Sequence, residues 1–277
     1  MNRTHAILAA TLLAATSATA QVVFNTVGGT YSQNFNWSSS IDSSTSQTVA
    51  WTSNAATQPF TTVDFTGNTT GWYAGSNSQD STSIRVGNGN QTDNASILIY
   101  NYYFTSSDAD RSFGGRPTGS VPVVLALRLN NSTGVTLTNF TLSYALEVTQ
   151  WRANGNQATA NVAYFIGNPT NWRTDAFTAT PTLNLTTVYG GDTAVAVNNV
   201  DGNHIGNRAS LAPTTITGLN WTNGSDLWIR WTLPVGTNLP NVGLDDVSFS
   251  AVPEPSTYAA LAGIAALGLA LYARRRR

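Results

Sequence analysis

Between its two ends this chain holds no stretch of useful length in which apolar residues recur at helical spacing. Its apolar residues either alternate or gather in short runs bounded by Gly, Asn and Pro, the pattern of strands joined by turns. Leu227, Ile229, Trp231 and Leu233 share one face of a strand, and Trp228, Arg230 and Thr232 share the other. Residues 123–129 read as a buried strand, and Asn130, Asn131, Ser132, Thr133 and Gly134 as the turn that ends it. Past that turn Val135 and Leu137 alternate, then Phe140, Leu142, Tyr144, Leu146 and Val148 alternate in the opposite phase. A bulge or kink at Thr138–Asn139 within one long strand is therefore expected. Residues 96–104 form a further β-branched and aromatic run, and 161–167, 182–188 and 193–198 are shorter strand candidates. The expected class is all-β, an antiparallel β-sandwich of jelly-roll type. Residues 21–89 are poorer in aliphatic side chains, but Phe60, Val63, Phe65, Trp72 and Tyr73 can contribute to the same core. No internal repeat is visible.

The two ends differ from this body. Arg3 and His5 precede an apolar run over 6–15, and Ala18-Thr19-Ala20 before Gln21 is a small-x-small cleavage site, so residues 1–20 read as a secretory signal peptide. At the other end, the seventeen residues 257–273 carry no charge and are rich in Ala and Leu. As a helix they span about 25 Å, the short end of what crosses a bilayer core of roughly 30 Å. Tyr258 and Tyr272 flank this expected transmembrane helix, and Arg274, Arg275, Arg276 and Arg277 would hold its end in the cytoplasm. Pro253, Glu254 and Pro255 keep the preceding segment extended, as a processing enzyme needs. The organisation is thus signal peptide 1–20, sandwich domain 21–252 and tail 253–277.

In that order, a Pro-Glu-Pro motif, an apolar helix and a terminal arginine cluster resemble the PEP-CTERM sorting signal of Gram-negative bacteria. The resemblance implies a precursor held transiently in the inner membrane, processed by an exosortase and delivered to the cell surface or extracellular matrix, where exopolysaccharide is the expected partner.

Composition narrows the chemistry of the body. There is no cysteine and no lysine, so disulfides and thiolate catalysis are excluded. Within 21–252 eight arginines stand against twelve aspartates and Glu147, a net charge of −5 that argues against nucleic acid. Asn-x-Ser/Thr sequons such as those at Asn36, Asn94 and Asn139 follow from an Asn-, Ser- and Thr-rich composition. His204 is the one histidine past the leader, which excludes a zinc site of several histidines, and no Gly-x-Ser-x-Gly elbow is present. A glycosidase would need Glu147 with one aspartate, and nothing in the spacing singles out a pair. The body therefore reads as non-enzymatic.

The body carries a second resemblance. Asp108-Ala-Asp110-Arg111-Ser-Phe-Gly114, then Ala126-Leu-Arg-Leu-Asn-Asn-Ser-Thr-Gly134, Leu142-Ser-Tyr144, Gln150-Trp151-Arg152, Leu227-Trp-Ile-Arg-Trp231 and Gly243-Leu-Asp245-Asp246-Val-Ser-Phe249 occur in this order. Over residues 94–250 this is similar to uncharacterised β-sandwich proteins secreted by environmental bacteria. Those relatives usually place a Glu directly before Gln-Trp-Arg, whereas Val148-Thr149 separates Glu147 from Gln150 here.

Two candidate sites follow. Trp151 could present its indole to a sugar ring with Arg152 donating hydrogen bonds, and Trp72, Tyr73, Trp172 and Trp221 are similar candidates. The alternative for these aromatics is core and loop-junction packing, and for the charges an Arg111–Glu147 or Arg152–Asp110 ion pair. Asp245-Asp246-Val247 resembles the Leu-Asp-Asp-Val ending of jelly-roll carbohydrate-binding modules, in which such carboxylates hold a structural Ca²⁺. Adjacent strand residues face opposite ways, so only one of the two carboxylates should be buried. The function expected is structural or adhesive, with a carbohydrate-binding module as the alternative and a glycoside hydrolase built on Glu147 as the weaker one.

Overall fold

The computed structural model describes residues 21–36, 47–50, 71–78, 83–87, 99–102, 110–254, 262–267, 269, 272, 274 and 275. Its strands, in chain order, are β1 Val22–Phe24, β2 Thr30–Gln33, β3 Gln47–Ala50, β4 Trp72–Gly75, β5 Ser83–Gly87, β6 Ile99–Tyr102, β7 Ser112–Gly115 and β8 Val123–Asn131. There follow β9 Asn139–Gln150, β10 Thr159–Ile166, β11 Thr178–Ala179, β12 Leu185–Thr186, β13 Arg208–Ile216, β14 Asp226–Leu233 and β15 Asn241–Val252. One sheet runs β1-β8-β14-β10-β11, with β4 also on β8 and β12 also on β10. The other runs β13-β9-β15-β7-β6-β5-β3, with β2 sharing an edge of β15. Pairing is antiparallel as expected except at β1–β8 and β5–β6, which are parallel.

The core lies between the two inner faces. Leu125, Leu127 and Leu129 of β8 and Leu227, Ile229, Trp231 and Leu233 of β14 meet Phe140, Leu142 and Tyr144 of β9 and Leu244, Val247 and Phe249 of β15. This is the face the alternation assigned. Strand β8 lacks polar alternation because its other face is covered too: Val124 and Ala126 pack with Tyr73, Trp172 and Trp228. The described parts of the N-terminal region pair with strands of both sheets. β1 and β4 pair with β8, β2 pairs with β15, and Trp72 is fully buried against Phe35 and Trp231. Phe60, Val63 and Phe65 lie outside the described residues.

The change of phase near Thr138 occurs, since Leu137 and Phe140 are both buried. It does not lie within one strand, however: regular pairing starts at Asn139, and Leu137 forms only an isolated bridge to Trp221. A bulge appears instead in β15, where Asp245 opposes Ala145 but Ser248 opposes Ser143, leaving one extra residue. Asp246 takes it up with a φ of 47°, so that Leu244 and Val247 both point inward. The strand expected at 193–198 is a turn, in which Asp192 accepts from the N–H groups of Ala194 and Val195 and only Val197 bridges to Trp151.

The expected signal peptide lies outside the described residues. In the tail, residues 262–267 are helical, and among the described residues no helix is long and apolar enough to cross a membrane.

Candidate functional site

Three connections between the sheets gather at one end of the sandwich: 116–122 between β7 and β8, 151–158 between β9 and β10, and 234–240 between β14 and β15. Backbone bonds lace them together. Gly236 donates to the Thr118 carbonyl, Asn156 N–H to the Asn238 carbonyl, and the Asn156 side chain to the Thr237 carbonyl at 3.1 Å. Gly155 and Asn154 make the tight turn beyond β9. Asn154 has a φ of 51°, and a side chain at Gly155 would strike the Arg152 carbonyl. Between these loops lies a cleft of about 230 Å³ lined by Arg116, Thr118, Arg152, Thr237, Asn238 and Leu239.

Trp151, the candidate sugar platform, is not open to solvent, and the packing alternative stated for it holds. It is 2% exposed, its backbone pairs with Val197, its indole N–H donates to the Thr193 carbonyl at 3.3 Å, and Tyr189 covers one face of it. Segment 193–207 makes this burial inevitable, because it follows the edge of β9 beyond the point where β13 begins. The ring that reaches the surface is Tyr189, which borders an open groove of about 370 Å³ with Val197, Asp201, His204 and Asn207. A side chain at Gly191 would collide with the Tyr189 ring, so glycine lets the phenol lie flat there. Sequence reading missed Tyr189; the neighbouring Gly190-Gly191 was the available signal. Trp72, Tyr73, Trp172 and Trp221 are core residues, the packing alternative stated for them.

Beside this groove, on the outer face of the second sheet, a charge cluster is built from three strands. Arg208 on β13 lies directly opposite Glu147 on β9 and donates to it, to Asp245 Oδ2 at 3.1 Å and to Asp246 Oδ2 at 2.5 Å. Asp245 is buried and Asp246 is 64% exposed, yet both reach the same guanidinium, because Asp246 is the extra residue of the bulge and strand alternation is interrupted there. Gly202 passes so close over Glu147 that a methyl group there would touch its carboxylate. Burial, with the charges of neighbouring carboxylates, pushes the carboxyl of Glu147 up to about 7 and that of Asp245 up to about 8, against the opposing pull of Arg208. Glu147 thus pairs with Arg208; Arg111 was one of the alternatives considered for it. All three carboxylates of this set converge on one guanidinium. Among the described residues no group of three or more His, Cys, Asp or Glu side chains is arranged to hold a metal.

Two arginines on the outer face of the first sheet are equally occupied. Arg128 is held by Asp226 through Nε at 2.9 Å and Nη2 at 2.5 Å. Arg230 donates to the carbonyls of Trp172, Arg173 and Asp175 and lies 4.1 Å from the Phe177 ring.

No curated protein matches the chain. Among solved structures, the chain is similar to the enzymatically active domain of tailspike protein 4 of bacteriophage CBA120 at 9% identity and a TM-score of 0.31, over 66% of this chain and 19% of that one. It is also similar to the K3 cleaved adhesin domain of Lys-gingipain from Porphyromonas gingivalis W83, at 15% identity and a TM-score of 0.34, over 65% of this chain and 91% of that one. A carbohydrate-binding module specific for non-crystalline cellulose matches at 13% identity and a TM-score of 0.32, over 55% of this chain and 80% of that one. At the C-terminus the match is by sequence: residues 251–277, which begin in the last two residues of β15, are a PEP-CTERM protein-sorting motif, the mark of an exported surface protein.

Proposed function

We propose that this protein is sorted by an exosortase to the cell surface or the exopolysaccharide matrix, where its sandwich plays a structural or adhesive part without turnover. The observation that carries this reading is the join between body and tail. The sorting motif starts at Ala251 inside β15, so the tail continues a strand that lies between β9 on one side and β2 and β7 on the other. The sorting motif therefore begins inside the folded body. The test is the intact mass and location of the protein expressed with its native export and sorting machinery. A surface product lacking both Met1–Ala20 and the segment after about Pro253 is expected. A product that keeps Arg274–Arg277 in the inner membrane would reduce the tail to a permanent anchor and remove the matrix role.

The groove bordered by Tyr189 favours a second reading, a carbohydrate-binding module, since a flat ring beside Asp201, His204 and Asn207 suits a sugar face and its hydroxyls. Glycan binding that disappears in Tyr189→Ala would establish it. A hydrolase built on Glu147 gains little support, because its carboxylate is buried under Gly202 and bound to Arg208. Release of reducing sugar that is lost in Glu147→Gln would reinstate it.

A further inference from the structure

The eight arginines of the body are not equally satisfied. Arg128, Arg208 and Arg230 have carboxylate or carbonyl partners. Arg173 bonds Asn171. Arg116 and Arg152 are different: among the described residues neither guanidinium has a hydrogen-bond or ion-pair partner, although they line one cleft and repel each other. Arg152 Nη2 is sealed from solvent and lacks any acceptor among the described residues. Burial and then the charge of Arg116 lower the proton affinity of Arg152. In a body of net charge −5, with thirteen carboxylates available, this pairing is costly unless something else supplies the negative charge.

We propose that the cleft between Arg116 and Arg152 binds the carboxylate of a uronic acid residue in an acidic polysaccharide. Two planar forks suit the two oxygens of a carboxylate. Thr118, Thr237 and Asn238 place hydroxyl and amide groups around the same space, where sugar hydroxyls would lie. At about 230 Å³ the cleft is smaller than the usual ligand pocket of roughly 300–1,000 Å³, so it takes one anionic residue of a chain and leaves its neighbours outside. Its position supports a polymeric ligand. β15 starts at Asn241 beside the cleft and ends at Val252 next to the sorting motif, so the cleft and the tail lie at opposite ends of a twelve-residue strand. At about 3.3 Å per residue that is nearly 40 Å, which turns the cleft away from the membrane and toward surrounding polymer. The polymer as ligand rests on the proposed surface placement; the recognition of a carboxylate does not.

The experiment is a calorimetric titration of the purified exported protein with oligoglucuronate, a neutral oligosaccharide of equal length, free glucuronate, inorganic sulfate and a short polyglutamate peptide. Saturable binding of oligoglucuronate is expected. It should weaken roughly tenfold or more in Arg152→Gln or Arg116→Gln, vanish in the double variant, and partly survive in Arg152→Lys. Because neither arginine has a partner to lose among the described residues, the glutamine variants should melt no lower than the parent. Equal binding of the neutral sugar, or unchanged affinity in the double variant, would overturn the proposal. Preference for polyglutamate would replace the polysaccharide with an acidic protein, and equal affinity for sulfate would reduce the cleft to a general anion site; each overturns the uronate assignment. The titration reads the cleft alone, so a permanent anchor in the mass experiment and a failed titration are separable outcomes.

Discussion

The indole of Trp151 and the phenol ring of Tyr189 lie face to face, 4.4 Å apart between centroids and 11° from parallel. The stack fastens segment 187–207, which has little regular structure, to the end of β9. Tyr189→Ala should therefore bare the indole. A red-shifted tryptophan emission and a loss of about 1 kcal/mol in stability are expected from denaturant titration. Emission identical to the parent's would show that the segment is held in some other way.

The carboxyls of Glu147 and Asp245, raised to about 7 and about 8, give the fold a pH dependence opposite to the usual one for paired carboxylates. The folded state binds more protons than the unfolded chain between about pH 4 and 8, so stability is fully present at the acid end and falls as pH rises through that window. Melting temperature measured from pH 4.5 to 8.5 should decline, and Glu147→Gln should flatten the decline. A stability that rises across this range would contradict the assignment.

Arg128 and Asp226 are both buried, and Asn130 adds a 2.9 Å bond to the second carboxylate oxygen. Asp226→Ala leaves an uncompensated guanidinium and should cost roughly 3–5 kcal/mol. The double variant Arg128→Met with Asp226→Leu should recover most of that loss, as chemical denaturation would show.

Gly114 runs so close to β15 that a methyl group would sit on the Val242 carbonyl oxygen. Backbone cannot yield as a flexible side chain does. Gly114→Ala should therefore separate β7 from β15 and cost on the order of 3 kcal/mol or more, read as a lowered melting temperature or as insoluble protein. A parent-like melt would mean that the two strands can part without harm.

How far the sequence reached can be judged from single residues. Alternation of Leu227, Ile229, Trp231 and Leu233 disclosed the inner face of β14, because burial on one side of a pleat leaves a period of two. The Asn130–Gly134 turn was legible because its chemistry is local: Thr133 N–H donates to Asn131 Oδ1, and Gly134 has a φ of 83°. The site was less accessible. Arg208 meets Glu147 and Asp245 across separations of 61 and 37 residues, which strand order sets and composition does not reveal. Which of the two readings holds for Trp151 was hidden for the same reason: what covers an aromatic at a strand end depends on the loop that returns over it. Arg152 was singled out for its proximity to that tryptophan, whereas the structure sets it in a different cleft, with Arg116.

The opposed ends of β9 and β15 have a mechanical consequence. Arg152 follows the end of β9, the tail follows the end of β15, and the two strands run antiparallel over most of their length. A polymer pulling at Arg152 against a tether at Val252 would drag these strands past each other lengthwise. Their hydrogen bonds lie across that direction, so the load is shared by many bonds at once instead of opening them one at a time from an end. A sandwich strung in this way can bear tension as well as hold a shape.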